Sequence, residues 1–224
     1  MPLTVKICGL STPETVEAAL EAGADMLGFV RFEKSPRHLS LEAAQSLGKQ
    51  VGERARKVLL TVDAGEAALA AAVEALGPHI LQLHGQETPE RVAALKARFG
   101  LPVMKAIAIG SPADLAQIAA YEEVADFLLL DSRPAEGSAL TGGTGEAFDW
   151  SLLRGLKLRK PWLLAGGLDP ANVGGALAAT RASGVDVSSG VESAPGVKDV
   201  GKIGAFIANA RAAAEKLGSA IENG

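Results

Sequence analysis

The chain has 224 residues, 48% of them hydrophobic and 21% charged, enough to bury a sizeable core and unlike a disordered segment. A formal net charge of −4 and an aromatic content of 4% argue against nucleic acid or an anionic membrane as the main partner. One cysteine makes no internal disulfide, no apolar run reaches membrane-spanning length and no signal-peptide layout opens the chain, so a cytoplasmic protein is expected.

The first element is Leu3-Thr4-Val5-Lys6-Ile7-Cys8-Gly9-Leu10, β-branched at Thr4, Val5 and Ile7 and closed by a glycine. That pattern predicts a buried strand ending in a turn. Ser11-Thr12-Pro13-Glu14 then supplies a hydroxyl cap, a proline for a first helical position and an acid in the first turn, so a helix follows over Thr15–Glu21. Further apolar runs of strand length are Asp25–Val30, Lys57–Val62, His79–His84, Pro102–Ile107, Asp126–Leu130, Pro161–Ala165 and Gly184–Ser188. Between them, Leu41–Lys49, Glu66–Leu76, Pro89–Arg98, Pro112–Tyr121 and Pro170–Thr180 are rich in helix formers, with Asp63, Thr88, Ser111 and Asp169 placed as N-caps. A last helix is expected from Val200 to about Leu217, leaving a frayed tail. The strand tips recur eight times at intervals of roughly 22 to 34 residues, the beat of one βα unit per step. With no linker or break in composition, this predicts a single-domain α/β fold spanning residues 1–224, a (β/α)8 TIM barrel of eight parallel strands. A doubly wound open sheet is the competing architecture.

In such a barrel the C-terminal tips of the strands are where chemistry is done. Cys8 sits at one tip, either as a small buried hydrophobe or as a base or nucleophile that nearby positive charge would activate. Lys6, two residues earlier, shares its inward direction and needs a partner, for which Asp186 on the strand closing the barrel is the candidate. Asp131 ends the run Phe127–Leu130 and is either an acid–base group or a loop cap. Gln82 and His84 alternate with leucines and point to the mouth, where His84 either positions substrate or fills a buried hydrogen bond. Arg37, in the rigid Ser35-Pro36-Arg37, is suited to gripping a planar carboxylate, or is a solvated surface arginine. Gly166 and Gly167 follow the seventh strand, and Ser188, Ser189 and Gly190 the eighth. A lone Gly-Gly makes a tight turn, but two such loops at adjacent tips, with a short helix beginning near Gly190, form a phosphate cradle. Two longer connections fall on the same face, Arg31–Ser40 and Ser132–Asp149, the second containing Gly143 and Gly145. The three histidines are too far apart for metal-ligand spacing, and His38 and His79 carry no assigned role.

Taken in order, Lys6-Ile7-Cys8-Gly9, Ser35-Pro36-Arg37, Leu81-Gln82-Leu83-His84-Gly85, Leu130-Asp131-Ser132, Gly142-Gly143-Thr144-Gly145 with Phe148-Asp149-Trp150, Ala165-Gly166-Gly167-Leu168 and Asp186 to Glu192 resemble the phosphoribosylanthranilate isomerase family. Each motif is weak alone; the ordered set is specific. The resemblance implies a cofactor-free enzyme of tryptophan biosynthesis acting on a small phosphosugar by an Amadori rearrangement. It implies Asp131 as general acid, Cys8 as general base, Arg37 on the anthranilate carboxylate, and Gly167, Ser189 and Gly190 on the phosphate. A monomer and a homodimer are both compatible with the sequence. Two rivals remain: a Schiff-base aldolase with Lys105 as nucleophile, and a non-catalytic phosphosugar-binding barrel.

Overall fold

The computed structural model describes residues 2–132 and 149–222. Its eight parallel strands close into a ring: β1 (Thr4–Cys8), β2 (Met26–Arg31), β3 (Arg56–Thr61), β4 (Ile80–Leu83), β5 (Val103–Ile109), β6 (Phe127–Ser132), β7 (Trp162–Leu164) and β8 (Gly184–Val187). β8 pairs with β1 in the register that sets Asp186 opposite Lys6, and this closure removes the open doubly wound sheet from consideration. Helices alternate with the strands: α1 (Pro13–Glu21), α2 (Leu41–Val51), α3 (Glu66–Leu76), α4 (Pro89–Phe99), α5 (Ile118–Val124), α6 (Val173–Thr180) and α7 (Val200–Glu222).

Side-chain alternation divides each strand between two environments. The outward face, including Val5, Ile7, Leu27, Phe29, Leu59, Leu81 and Leu128, joins the large core shared with the helices. The inward face carries Met26, Val58, Ile80, Met104, Ala106, Leu129, Leu163 and Ala165, which fill the lower barrel. A parallel sheet buried on both faces explains why the strands read as continuous apolar runs. Toward the mouth that inward filling gives way to the polar Lys6, Gln82, Asp131 and Asp186, all buried.

Several boundaries differ from the sequence expectation. Asp63 caps no helix; Gly65 is the N-cap of α3. Asp63 instead adopts φ 47° and accepts from the Gln86 N–H at 2.7 Å, bracing the loop after β4. Asp169 accepts from the N–H groups of Ala171 and Asn172 at 2.7 and 2.8 Å, so it caps a turn, and the helix proper starts later at Val173. The segment expected as one helix from Pro112 opens as a 3-10 turn over Pro112–Gln117 before becoming α5. α7 runs on to Glu222, beyond the expected end at Leu217, and its apolar Ile203, Phe206, Ile207 and Ala210 pack into the outer core. After β8 the chain makes a 3-10 turn over Ser189–Val191 and then an unexpected hairpin, β9 (Glu192–Ala194) with β10 (Val197–Lys198).

Candidate active site

Cys8 ends β1, and Gly9 turns the chain away with φ 78°, a conformation favouring glycine. The thiol is 4% exposed and shares the barrel mouth with Val30 and Leu60. Gly28 faces it across the strand pair: a Cβ there would lie 2.8 Å from Cys8 Sγ and 3.0 Å from Lys6 Nζ. The absence of a side chain at 28 is therefore what lets sulfur and ammonium approach one another. Lys6, fully buried, donates to Asp186 Oδ1 at 2.9 Å, the partner its position in the barrel required. Burial pushes the Cys8 thiol up, Lys6 and Lys198 pull it back, and Asp186 adds to the rise; the balance lies above the ordinary value. Burial works against the Lys6 ammonium, but Asp186 and Cys8 outweigh it and raise its pKa.

Asp131 projects from the sixth strand tip and is buried. Its Oδ2 lies 3.3 Å from His84 Nε2, while Gln82 Nε2 lies 3.0 Å from His84 Nδ1. An amide N–H donating to Nδ1 leaves the imidazole proton on Nε2, where it points at the carboxylate. Among the described residues, Asp131 Oδ1 is buried with no hydrogen-bond partner.

The loops after β7 and β8 lie against the same carboxylate. One cavity is lined by Asp131, Ala165, Gly166, Gly167, Leu168, Asp186, Val187, Ser188 and Ser189. Gly166 and Gly167 take φ 85° and 63°, and a Cβ on Gly166 would strike the Ser132 backbone. A Cβ on Gly190 would collide with the Leu168 carbonyl, so the two loops are pressed together there. Both loops thereby border one end of the cavity. Gly143 and Gly145 lie outside the described residues.

Arg37 is buried rather than solvated. Its Nε and Nη2 donate to Glu192 Oε1 and Oε2 at 2.6 and 2.8 Å, a fork gripping a fork. Lys198 donates to the same carboxylate at 2.7 Å and to the Ser188 carbonyl at 2.9 Å. Burial disfavours the Glu192 carboxylate, but Arg37 and Lys198 overcome it and hold its pKa low, whereas burial lowers that of Lys198. Sequence reasoning gave no role to Glu192 or Lys198. A buried arginine demands a carboxylate, but the one it finds is 155 residues away, beyond any local pattern.

Lys105 does not reach this mouth. It lies on the outward face of β5, between the inward Met104 and Ala106, and donates to the Gly85 carbonyl at 2.7 Å and Glu87 Oε2 at 2.8 Å. That removes the aldolase reading. His79 is at the opposite end of the barrel, its Nδ1 accepting from the Lys57 N–H at 3.0 Å. Among the described residues, no cluster of three His, Cys, Asp or Glu side chains suits a metal ion, and no helix is long and apolar enough to cross a membrane.

The family model for N-(5'-phosphoribosyl)anthranilate isomerase matches residues 5–209. The chain is 64% identical to the N-(5'-phosphoribosyl)anthranilate isomerase of Beijerinckia indica over 94% of its own length and 95% of the relative's. It is 59% identical to that of Azorhizobium caulinodans, covering 95% and 93%. The crystal structure of phosphoribosyl anthranilate isomerase from Thermotoga maritima superposes with a TM-score of 0.84 at 34% identity, over 94% of this chain and 99% of that one. A further phosphoribosyl anthranilate isomerase, solved with reduced 1-(o-carboxyphenylamino)-1-deoxyribulose 5-phosphate, gives a TM-score of 0.80 at 33% identity with the same coverage.

Proposed function

The chain belongs to the N-(5'-phosphoribosyl)anthranilate isomerase family, and on that premise we propose that Asp131 and Cys8 are the acid and base of its reaction. The enzyme is an aldose–ketose isomerase of tryptophan biosynthesis. Its substrate, N-(5-phosphoribosyl)anthranilate, carries one anion at each end and the reacting carbons between them. The observation that carries the assignment is Asp131 Oδ1, buried in the cavity between the β7 and β8 loops with no partner among the described residues while His84 faces the other oxygen.

Asp131 gives its proton to the furanose ring oxygen, so the ring opens without releasing a free alkoxide, and the electron pair on the amine nitrogen forms an iminium. The iminium acidifies the neighbouring C–H. Cys8, as thiolate, removes that proton, and the enolamine tautomerises to the aminodeoxyribulose ketone. The thiolate needs a counter-charge in a buried place, and the Lys6 ammonium beside it supports this role. Arg37 receives the anthranilate carboxylate, and the backbone around Gly167, Ser189 and Gly190 receives the phosphate. Gln82 and His84 orient Asp131, while Asp186 acts through Lys6. Holding both ends fixes the sugar between acid and base, a positioning effect.

The test is the decay of substrate fluorescence with wild type, Cys8→Ala and Asp131→Asn. Each variant is expected to lose on the order of 10²-fold or more in kcat while retaining the product analogue. Near-normal turnover in either removes that residue from its role. Undiminished cellular function in Cys8→Ala would restore the non-catalytic reading.

A further inference from the structure

The buried carboxylate of Glu192 stands where the two substrate anchors meet. It takes both hydrogen bonds from the Nε–Nη2 edge of Arg37, and its Oε1 is shared with Lys198 Nζ. Lys198 in turn donates to the carbonyl and hydroxyl of Ser188 at 2.9 and 3.2 Å, and the Ser188 hydroxyl donates to the Cys8 carbonyl at 3.1 Å. The bonds thus run without a break from Arg37, through Glu192 and Lys198, to the loop after β8 and the backbone of Cys8. Glycines make the contacts that seat this run. A Cβ on Gly196, in the hairpin turn, would lie 2.6 Å from the Pro36 carbonyl, and one on Gly9 would lie 2.5 Å from Arg37 Cδ and 3.2 Å from the Ser188 hydroxyl. The hairpin β9–β10 is therefore clamped onto the Ser35–Arg37 segment, and it contributes the Glu192 carboxylate and the Lys198 ammonium.

We propose that Glu192 is a positioning residue for substrate: it orients the Arg37 guanidinium, so that the edge it does not occupy faces the anthranilate carboxylate, and through Lys198 ties that edge to the phosphate loop. The inference rests on the assignment of Arg37 to the carboxylate end. The physical reason is entropic and geometric. A guanidinium at the end of four rotatable bonds grips a carboxylate with two bonds only when its plane is set beforehand, and Glu192 sets it by using the same fork geometry on the opposite edge. With Lys198, two cations stand against one anion, which leaves net positive charge for an incoming carboxylate. Glu192 Oε2 also accepts from the Gly196 N–H at 3.2 Å, which fixes the carboxylate to its own hairpin turn.

The probes are the reduced 1-(o-carboxyphenylamino)-1-deoxyribulose 5-phosphate and its counterpart lacking the ring carboxyl. Binding of each is measured by calorimetry to wild type, Arg37→Ala and Glu192→Gln, with thermal unfolding as a check on folding. Glu192→Gln is expected to weaken the carboxylated ligand on the order of tenfold, and to leave the carboxyl-free ligand within about twofold of wild type. In catalysis the loss should fall on KM more than on kcat. Should loss of the buried charge unfold that variant, Glu192→Asp keeps the charge, withdraws it from Arg37 and is expected to show the same selectivity. If Arg37→Ala discriminates between the ligands and neither Glu192 variant does, the positioning role is overturned and the Arg37 assignment stands. If the Glu192 variants weaken both ligands equally, the carboxylate is merely structural and the proposal fails. If Arg37→Ala does not discriminate, both assignments fall together.

Discussion

His84 Nε2 and Asp131 Oδ2 stand 3.3 Å apart at the barrel mouth, and the opposite oxygen of that carboxylate has no partner among the described residues. The pair reaches its geometry through Gln82, whose amide meets the other ring nitrogen at 3.0 Å. Strand alternation places Gln82 and His84 on one side of the fourth strand and its tip, two residues apart, so the relay is built from local sequence. His84→Ala should leave Asp131 in place but free to rotate. We expect kcat to fall about 10- to 100-fold with a smaller change in KM. Unchanged kcat in steady-state assays would reduce His84 to a packing residue.

The lone cysteine titrates in a field of known sign. Burial raises its pKa, Lys6 lowers it and Asp186 raises it. Lys6 is itself raised, because Asp186 and Cys8 favour its ammonium against burial. A base must be deprotonated, so kcat/KM should rise with pH along the thiol titration. Lys6→Met removes a lowering influence and should move that limb to higher pH; Asp186→Asn removes a raising one and should move it lower. Both shifts are read from the thiolate ultraviolet absorbance of the only cysteine. Lys6→Met leaves a buried carboxylate unpaired and is the variant at risk of unfolding; the Asp186→Asn shift then carries the test. A limb that ignores both substitutions would mean that another group titrates.

Gly190 tests the proposed phosphate loops by sterics alone, since no left-handed φ is required of it. Its missing Cβ is what allows the turn after β8 to rest on the Leu168 carbonyl. Gly190→Ala should push the loops apart, raise KM on the order of tenfold or more and weaken inhibition by inorganic phosphate in parallel. A KM increase without a change in phosphate inhibition would place the phosphate elsewhere.

Lys105 and Glu87 form a buried pair outside the barrel lumen, at 2.8 Å. Lys105→Met should cost about 3–5 kcal/mol of stability by leaving the Glu87 charge held only by the N–H groups of Asp63 and Gly85, seen in denaturant unfolding. Turnover per folded molecule should persist, and borohydride should trap no sugar phosphate on the wild-type lysine. Covalent trapping there would contradict its outward direction.

Much of the fold was legible because it depends on short-range rules. Alternating apolar runs and helix formers, capped by Thr12 and Thr88, specify strand and helix in turn. Eight such steps leave the closed barrel as the arrangement that buries both faces of every strand. The same reasoning placed Lys6 opposite Asp186, because closure makes the first and last strands neighbours. It failed at Asp63 and Asp169, where side chains that favour caps were used to brace turns instead. For Lys105 the parity of β5 already separated it from Met104 and Ala106, and the aldolase alternative overlooked that signal.

The amino-acid sequence by itself determined the order of the elements, which tips would face the mouth, and the identity of the sulfur and the carboxyl there. Only the tertiary structure decided which oxygen of Asp131 faces His84, that Gly28 must lack a side chain beside Cys8, and that Arg37 finds Glu192. The reason is that periodicity fixes the direction of a side chain relative to its own strand or helix. The partner it meets depends on how distant segments pack, and that is set by the shape of the whole core.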